Sequence, residues 1–248
     1  MAGHSKWSTI KRAKGAADAK RANLFTKLAR EITVAARTGM PDPEANPRLR
    51  IAVQKARSEN MPKDNIQRAI DRATGGADGA NFDEVTYEGY GPGGIALIID
   101  TLTDNRNRTV GEIRAAMTRS GGNLGESGSV AWMFDLVGII IVPIEGHDAD
   151  ELQMQAIEAG AIDVSLEDDV LEVYTESSDL HTVAAALSEA GLETTSVELI
   201  KKPKTQMEPD TDTSVKVIRL IEKLEDLDDV QTVYSNLDIS DDVMAQVS

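Results

Sequence analysis

The sequence predicts an α+β protein of three domains: an N-terminal helical domain followed by two mixed α/β domains, the last inserted in the middle one. Before the glycine-rich segment 75–81 the sequence shows only helical spacing of apolar residues, and after it strand-like runs begin and alternate with helices. Residues 137–200 then follow the order β-α-β-β-α-β, which is typical of a ferredoxin-like unit. We therefore predict a basic helical domain at 1–78, a middle domain at 79–135 and 205–248, and an inserted ferredoxin-like domain at 136–204.

The first domain is predicted to contain three helices. The first extends from Ala16 to Thr38, and Gly39 lies where a C-cap glycine is expected. Prolines punctuate the loop 40–47, so a second helix should begin near residue 48 and end near residue 59. A third should begin at Pro62 and end at the glycine pair 75–76.

The first part of the middle domain is predicted to contain three strands and one helix. The strands are Val85–Glu88, Gly94–Leu102 and Ser129–Phe134, and the helix covers 109–119 with Asn107 or Arg108 near its N-cap. The loop EGYGPGG formally contains G-x-G-x-x-G. A strand follows these glycines where a dinucleotide site requires a helix, so we interpret the loop as a hairpin turn.

The inserted segment and the C-terminal elements support a discontinuous middle domain. The inserted elements are a strand at 137–142, a helix at 149–159, a hairpin of 163–166 and 170–174, a helix at 180–189 and a strand at 194–200. Residues 201–213 are predicted to be a linker. The helix 215–224 and the strand 230–234 would be isolated on their own, and we expect them to complete the middle domain.

Composition argues against catalysis and metal binding. The chain of 248 residues has no cysteine and three histidines, which are far apart, so thiolate sites are excluded and a histidine metal site is not expected. No H-E-x-x-H, G-x-S-x-G or Walker motif is present. The acidic clusters at 148–151, 167–169 and 225–229 are interpreted as solvated charge. We predict no enzyme activity, no cofactor, no metal and no small-molecule substrate.

The cellular setting is inferred from apolar runs and from the start of the chain. No run approaches the roughly 20 apolar residues that span a bilayer, so no membrane partner is expected. The lysine-rich start passes into an amphipathic helix and not into an apolar signal core. We expect a cytoplasmic protein.

Charge is strongly segregated along the chain, whose net charge is −16. Residues 1–72 contain 16 Lys or Arg and 7 Asp or Glu, a net of +9, which leaves −25 for the remainder. Such asymmetry favours one end that faces a polyanion and a body that repels it. Ordinary solubilising charge is the alternative interpretation.

The basic arm and the first helix supply the predicted nucleic-acid contacts. The arm is expected to order on phosphate, and Trp7 either stacks on a base or packs against the first helix. The helix is expected to pack one face and to leave Lys20, Lys27, Arg30 and Arg37 on a face free to bind. The predicted contacts are Lys6, Trp7, Lys11, Arg12, Lys14, Lys20, Arg21 and Lys27.

Two polar stretches are candidates for a secondary site. DNRNRT at 104–109 contains Arg106 and Arg108 in a region poor in basic residues, so these two either contact RNA or phosphate or serve as surface charge beside a helix cap. SGGNLGESG at 120–128 is either a backbone anion nest or a plain turn.

Several long motifs resemble those of the YebC family of bacterial proteins, whose mitochondrial relatives activate translation. The motifs are MAGHSKW at 1–7, NPRLR at 46–50, NMP at 60–62, YEGYGPGG at 87–94, DNRNRT at 104–109, GGNLG at 121–125 and GSVA at 128–131. The resemblance spans the chain. It implies three domains with the third inserted in the second. Mitochondrial members carry a leader before the GHSKW motif, whereas only two residues precede Gly3 here, so we expect a bacterial cytoplasmic protein.

The resemblance also implies function, and two hypotheses remain open. The first is a non-catalytic DNA-binding transcriptional regulator. The second is a ribosome-associated translation factor that binds ribosomal RNA and supports translation of proline-rich stretches. No helix has the Asn, Gln and Arg spacing of a base reader, which favours recognition of shape and backbone. A third hypothesis, an acidic module that binds a basic protein, would make the N-terminal charge incidental.

Overall fold

The computed structural model describes residues 18–75, 81–167 and 169–247, with eight α-helices and two antiparallel four-stranded sheets in those ranges. The α+β class is thereby confirmed. The helices are α1 Asp18–Thr38, α2 Pro47–Ser58, α3 Lys63–Thr74, α4 Arg106–Arg119, α5 Ala149–Glu158, α6 Leu180–Glu189, α7 Thr211–Glu225 and α8 Asp241–Val247. The strands are β1 Asp83–Tyr90, β2 Ala96–Thr103, β3 Asn123–Leu124, β4 Phe134–Pro143, β5 Asp163–Leu166, β6 Val170–Glu176, β7 Ser196–Pro203 and β8 Val230–Ser235.

The described residues form two compact units. One consists of residues 18–131 and 209–237, and the other of residues 132–208 and 238–247, apart from the positions outside the described ranges. The chain returns to the first unit after residue 208, where it forms α7 and then β8, and β8 pairs with the edge of the sheet that contains β1 and β2. The three-domain division at 78, 135 and 204 stays a prediction.

Helices α1, α2 and α3 pack around a shared apolar core, with Ile32, Leu49 and Ala56 fully buried. Helix α2 begins at Pro47, where the missing proline N–H costs no hydrogen bond. Asn46 caps this helix by accepting from the Leu49 amide at 3.1 Å. Its Nδ2 also donates to the carbonyl oxygens of Ala35 and Met40, both at 2.8 Å, so one buried side chain fixes the loop between α1 and α2.

The first sheet has the strand order β3-β1-β2-β8, and all its pairings are antiparallel. Strands β1 and β2 form the predicted hairpin, in which the Gly91 amide donates to the Ile95 carbonyl at 2.8 Å. Gly93 and Gly94 have φ angles of 70° and 76°, which glycine adopts without a steric penalty. The glycine-rich loop is therefore a turn between two strands.

Two sequence predictions for this part of the chain are wrong, and one strand was missed. Residues 129–133 form no strand but a turn and a 3₁₀ helix, because their amides bond to a buried carboxylate described below. Helix α4 begins at Arg106, since Asn105 and not a later residue accepts from the Arg108 amide at 3.1 Å. The short strand β3, paired with the end of β1, was not predicted.

The second sheet has the order β5-β6-β4-β7 and carries α5 and α6 on one face. This is the antiparallel arrangement expected of the predicted β-α-β-β-α-β segment. Its core includes Ile140, Val173, Leu152 and Leu187. The predicted linker begins too early, because residues 201–203 continue β7 opposite the start of β4. Helix α8 was not predicted.

Candidate nucleic-acid interface

Most of the predicted arm lies outside the described residues. Lys6, Trp7, Lys11, Arg12 and Lys14 precede the first described position, and the side chain of Lys20 is likewise not described. Their role as phosphate contacts stays a prediction. The structure bears on the interface from Arg21 onward.

Arg21 lies exposed in the first turns of α1. Its guanidinium carbon is 5.6 Å from the centroid of the Phe25 ring, one helical turn further on. This distance is within the range of a cation–π contact. An exposed guanidinium held over a ring can still donate hydrogen bonds to an external acceptor, so Arg21 is accessible for the predicted contact.

The side chains of Lys27 and Arg30, two of the cations predicted to lie on a free face of α1, are not free, contrary to the sequence prediction. The side chains of Asn23, Lys27 and Arg30 reach the segment that follows α7. Asn23 Nδ2 donates to the Asp226 carbonyl at 2.9 Å, Lys27 Nζ donates to the Glu225 carbonyl, and Arg30 Nη1 donates to the Asp228 carbonyl. The last carbonyl groups of a helix lack partners within it and carry the negative end of its dipole. Helix α1 therefore caps α7 with its own donors.

Asp229 is the anionic centre of this contact and is 2% exposed. Its Oδ1 accepts from Arg30 Nη1 at 2.8 Å, and its Oδ2 accepts from Arg108 Nη2 and from the Thr109 hydroxyl, both at 2.7 Å. The Thr103 hydroxyl lies 3.1 Å from the same Oδ2. One buried carboxylate thus connects the first helix, the second strand and the fourth helix.

The environment of Asp229 keeps it ionised. Burial alone would raise its pKa, but hydrogen bonds from Arg108, Thr109 and Thr103 outweigh burial and hold the pKa of Asp229 below its ordinary value. The hydrogen bonds to Asp229 and to Asp104 in turn raise the pKa of Arg108 above its usual range. Both groups are charged at any pH at which the protein is expected to work.

The two arginines of the predicted secondary site are both ion-paired. Arg106 Nε lies 2.7 Å from Asp83 Oδ2, and Arg108 bridges Asp229 and Asp104. The side chains of Arg106 and Arg108 remain 63% and 42% exposed. An RNA or phosphate contact at either arginine would share its guanidinium with these carboxylates, and the assignment stays a prediction.

The glycine-rich stretch leads into a set of converging amides, but the anion they bind belongs to the same chain. Glu88, 6% exposed, accepts through Oε1 from the Gly128 amide at 2.7 Å. Its Oε2 accepts from the amides of Val130 and Ala131, both at 2.8 Å. These amides are therefore occupied by Glu88, and the loop is anchored to β1.

Sequence reasoning missed Glu88 and Asp229 as organising residues. Glu88 was treated as part of a turn motif, and Asp229 as one member of a solvated acidic cluster. A signal existed for Glu88, which ends a predicted strand and opens a glycine-rich loop. The sequence held no such signal for Asp229, because its partner Arg30 lies 199 residues away along the chain.

The described residues contain no group of three His, Cys, Asp or Glu placed to hold a metal ion. Within the same ranges, no helix combines the length and the apolar character that crossing a membrane requires.

Two family models match successive parts of the chain. A family model for the N-terminal domain of TACO1/YebC proteins matches residues 5–76, and one for their second and third domain matches residues 82–237. The chain belongs to the TACO1/YebC family. The resemblance stated from the sequence motifs is therefore confirmed.

Relatives in this family align over the whole chain. A probable transcriptional regulatory protein of Roseiflexus castenholzii is 55% identical over 99% of this chain and 98% of its own length. One of the same description from Rubrobacter xylanophilus is 53% identical over 100% of both chains. The crystal structure of a conserved hypothetical protein from Aquifex aeolicus has a TM-score of 0.84 and 45% identity, and the match covers 90% of this chain and 93% of that one.

Proposed function

We propose that this chain is a non-enzymatic, nucleic-acid-binding transcriptional regulator that contacts DNA through its N-terminal arm and the start of α1. The observation that carries the proposal is the segregation of charge, +9 in residues 1–72 against −25 in the rest. Clustered Lys and Arg bind the phosphate backbone by displacing its counterions. The names of the relatives, probable transcriptional regulatory proteins, support the regulatory role.

The residues of the N-terminal arm and of α1 do not all contribute equally to the proposed phosphate contacts. The arm residues, Lys20 and Arg21 provide the phosphate contacts. Lys27 donates to the Glu225 carbonyl, so a phosphate contact at Lys27 would share its ammonium group with that carbonyl. The acidic remainder is repelled by the polyanion and faces away from it. Because its relatives are named probable transcriptional regulatory proteins, we place the protein in the cytoplasm.

The salt dependence of DNA binding tests the proposal. If five to seven cations contact duplex phosphates, log affinity should fall with log salt at a slope of roughly −4 to −6. Changing Lys11, Arg12 and Lys14 together to Ala should make the slope shallower by about 2.7, at about 0.9 for each contact. The matched control changes Lys216, Arg219 and Lys223, three exposed cations of α7, to Ala. Equal slopes for the two triple variants would exclude the arm from the interface.

A specific observation also favours a second function, a ribosome-associated translation factor that binds ribosomal RNA. The basic face of α1 caps α7, so this helix does not present that face to a major groove in the way a recognition helix does. Recognition by backbone and shape suits structured RNA. Co-sedimentation with ribosomes in a sucrose gradient at moderate salt distinguishes the two, since a DNA regulator should stay at the top of the gradient.

A further inference from the structure

Helices α2 and α3 and the loop before α2 enclose a small cleft. It has a volume of about 200 Å³ and lies between the loop 41–43, α2 and α3. Val53, Ile66 and Ile70 form its apolar floor, and Pro41 and Pro43 form one wall. Whole small-molecule ligands usually occupy roughly 300–1,000 Å³. The cleft is therefore of a size for a single flat group.

The proline wall of the cleft is held in place by side chains behind it. Arg50 donates from Nε to the Pro43 carbonyl at 3.0 Å and from Nη2 to the Glu44 carbonyl at 2.6 Å. Asn46 holds the start of the same loop through the Met40 carbonyl at 2.8 Å. On the opposite side, Asn60 has a φ of 58° and makes the tight turn that sets α3 against α2. The cleft is thus preformed, which reduces the entropic cost of binding.

The mouth of the cleft carries groups suited to a nucleotide. Arg57 and Lys63 line it, are exposed, and form no ion pair with any other side chain in the described ranges. Asp42 and Gln67 also line it. The Asp42 carboxylate is fixed by the Glu44 amide at 2.9 Å. Gln67 Nε2 donates to Asp71 Oδ1 at 2.9 Å, so its Oε1 is the atom that can accept from a base. Cations bind phosphate, whereas carboxylate and amide groups hydrogen-bond to the edges of bases.

We propose that this cleft binds one unpaired nucleotide of a single-stranded or looped nucleic acid, an inference that rests on the function proposed above. The base lies between the proline wall and the aliphatic floor, and its edge faces Asp42 and Gln67. Arg57 and Lys63 hold the adjoining phosphates. A paired and stacked base cannot enter a cleft of this kind, so the site selects loops and single strands over continuous duplex.

The test uses the full chain and RNA hairpins that carry 2-aminopurine in the loop, with a duplex of the same composition as comparison. Fluorescence of 2-aminopurine rises when the base leaves its stacked neighbours, and none of the described residues lining the cleft is aromatic and able to quench it. The wild-type protein should raise the 2-aminopurine fluorescence of the hairpin and leave that of the duplex unchanged.

Two variants act on the cleft. Gln67→Phe fills it from an exposed position, and Arg57→Ala with Lys63→Ala removes its cations. Each should abolish the rise in fluorescence and weaken hairpin binding about tenfold, as expected for one stacked base. The cation variant should also make the salt slope shallower by roughly 1.4, at about 0.7 for each single-strand contact. The matched control is Arg68→Ala with Arg72→Ala, which removes two positive charges from α3 at positions that do not line the cleft. This variant should keep the rise in 2-aminopurine fluorescence.

The outcomes separate this inference from the proposed function. Salt-sensitive binding of both probes without a fluorescence change overturns the nucleotide site and leaves the proposed function standing. The same result is expected if the cleft receives a side chain from a partner protein. Absence of binding to either RNA probe at low salt overturns the nucleotide site and the RNA-binding function, whereas the DNA-binding function is tested separately by the salt dependence of duplex DNA binding. A signal that survives Gln67→Phe places the unstacked base elsewhere and overturns the inference.

Discussion

Replacing Asp229 by alanine should destabilise the fold more than any exposed acidic substitution. The change removes the carboxylate that pairs with Arg30, whose side chain is 16% exposed and, among the described residues, keeps only the Asp228 carbonyl as a hydrogen-bond acceptor there. It also removes the acceptor for the hydroxyls of Thr103 and Thr109. Removing one partner of a buried ion pair typically costs about 3–5 kcal/mol, because the other charge stays buried without compensation.

The structure narrows this estimate. Arg108 keeps its second carboxylate, Asp104, and is 42% exposed, so it adds little to the loss. The hydroxyls of Thr103 and Thr109 lie 2.7 Å apart and can bond to each other. The loss should therefore be near the lower limit, about 3 kcal/mol, and should come chiefly from Arg30.

Urea denaturation followed by far-ultraviolet circular dichroism measures this loss. The denaturation midpoint should fall while the slope stays constant. Asp104→Ala is the matched control, since Asp104 is 51% exposed and pairs with the same Arg108, and it should cost less than about 1 kcal/mol. A loss below about 1 kcal/mol for Asp229→Ala would refute the argument that Asp229 holds these elements together.

Further predictions concern pH, the loop after β3, the α2 cap and the first helix. The pKa of Asp229 is lowered on folding, so its contribution is complete above the ordinary value of 3.8 and is lost as pH falls through the lowered pKa. The stability difference between wild type and Asp229→Asn should therefore narrow below pH 3.8 in urea titrations. Glu88→Gln should cost about 3 kcal/mol, because an amide cannot accept all three backbone N–H groups, and hydrogen exchange of those amides should accelerate. Asn46→Ala should cost about 2 kcal/mol by removing a helix cap and two bonds to carbonyl groups. Arg21→Ala should weaken nucleic-acid binding without changing the urea midpoint, whereas Arg30→Ala should lower the midpoint and leave the affinity of the folded protein unchanged.

Each of these predictions has a control or a contradicting result. Parallel stability curves for wild type and Asp229→Asn down to pH 2 would contradict the lowered pKa. Glu84→Gln, on the same strand and 51% exposed, should have little effect, and a loss equal to that of Glu88→Gln would remove the special role of the buried residue. Asn81→Ala is the exposed control for the α2 cap. Equal effects of the Arg21 and Arg30 variants on affinity would mean that capping α7 does not withdraw Arg30 from binding.

Local patterns were enough to predict most helices and strands. The apolar stripe of α1, the prolines before α2 and the β-α-β-β-α-β order depend on neighbours within a few residues, which the sequence displays directly. Residues 129–133 show the limit of such reasoning. Their composition suits a strand, but Val130 and Ala131 bond to Glu88, more than 40 residues earlier. Propensity could not reveal that competing acceptor.

The candidate site was less predictable for the same reason. Helical periodicity separates the apolar stripe of α1 from its polar side, but it does not show whether that side meets solvent or a second surface. Lys27 donates to the carbonyl of the last residue of α7 and Arg30 to a carbonyl just after this helix, nearly 200 residues further along the chain. The cleft between α2 and α3 was also not anticipated, because it depends on how a proline loop folds back over two helices.

The position of the remaining cations on α1 gives a physical reason to connect them with an external anion. Lys20 and Arg21 lie in the first turn, where the helix dipole is positive and a cation is mildly unfavourable. Arg37, in the last turn, lies where the dipole favours it. Clustered cations at the N-terminal end raise the local positive potential without contributing to helix stability, and a phosphate there would be attracted by both the side chains and the dipole. Since exposed charges are screened beyond about 10 Å at 0.1 M salt, this attraction acts only on a ligand that touches the first turn. Arg21→Ala should therefore reduce binding most at low ionic strength and progressively less as salt is added.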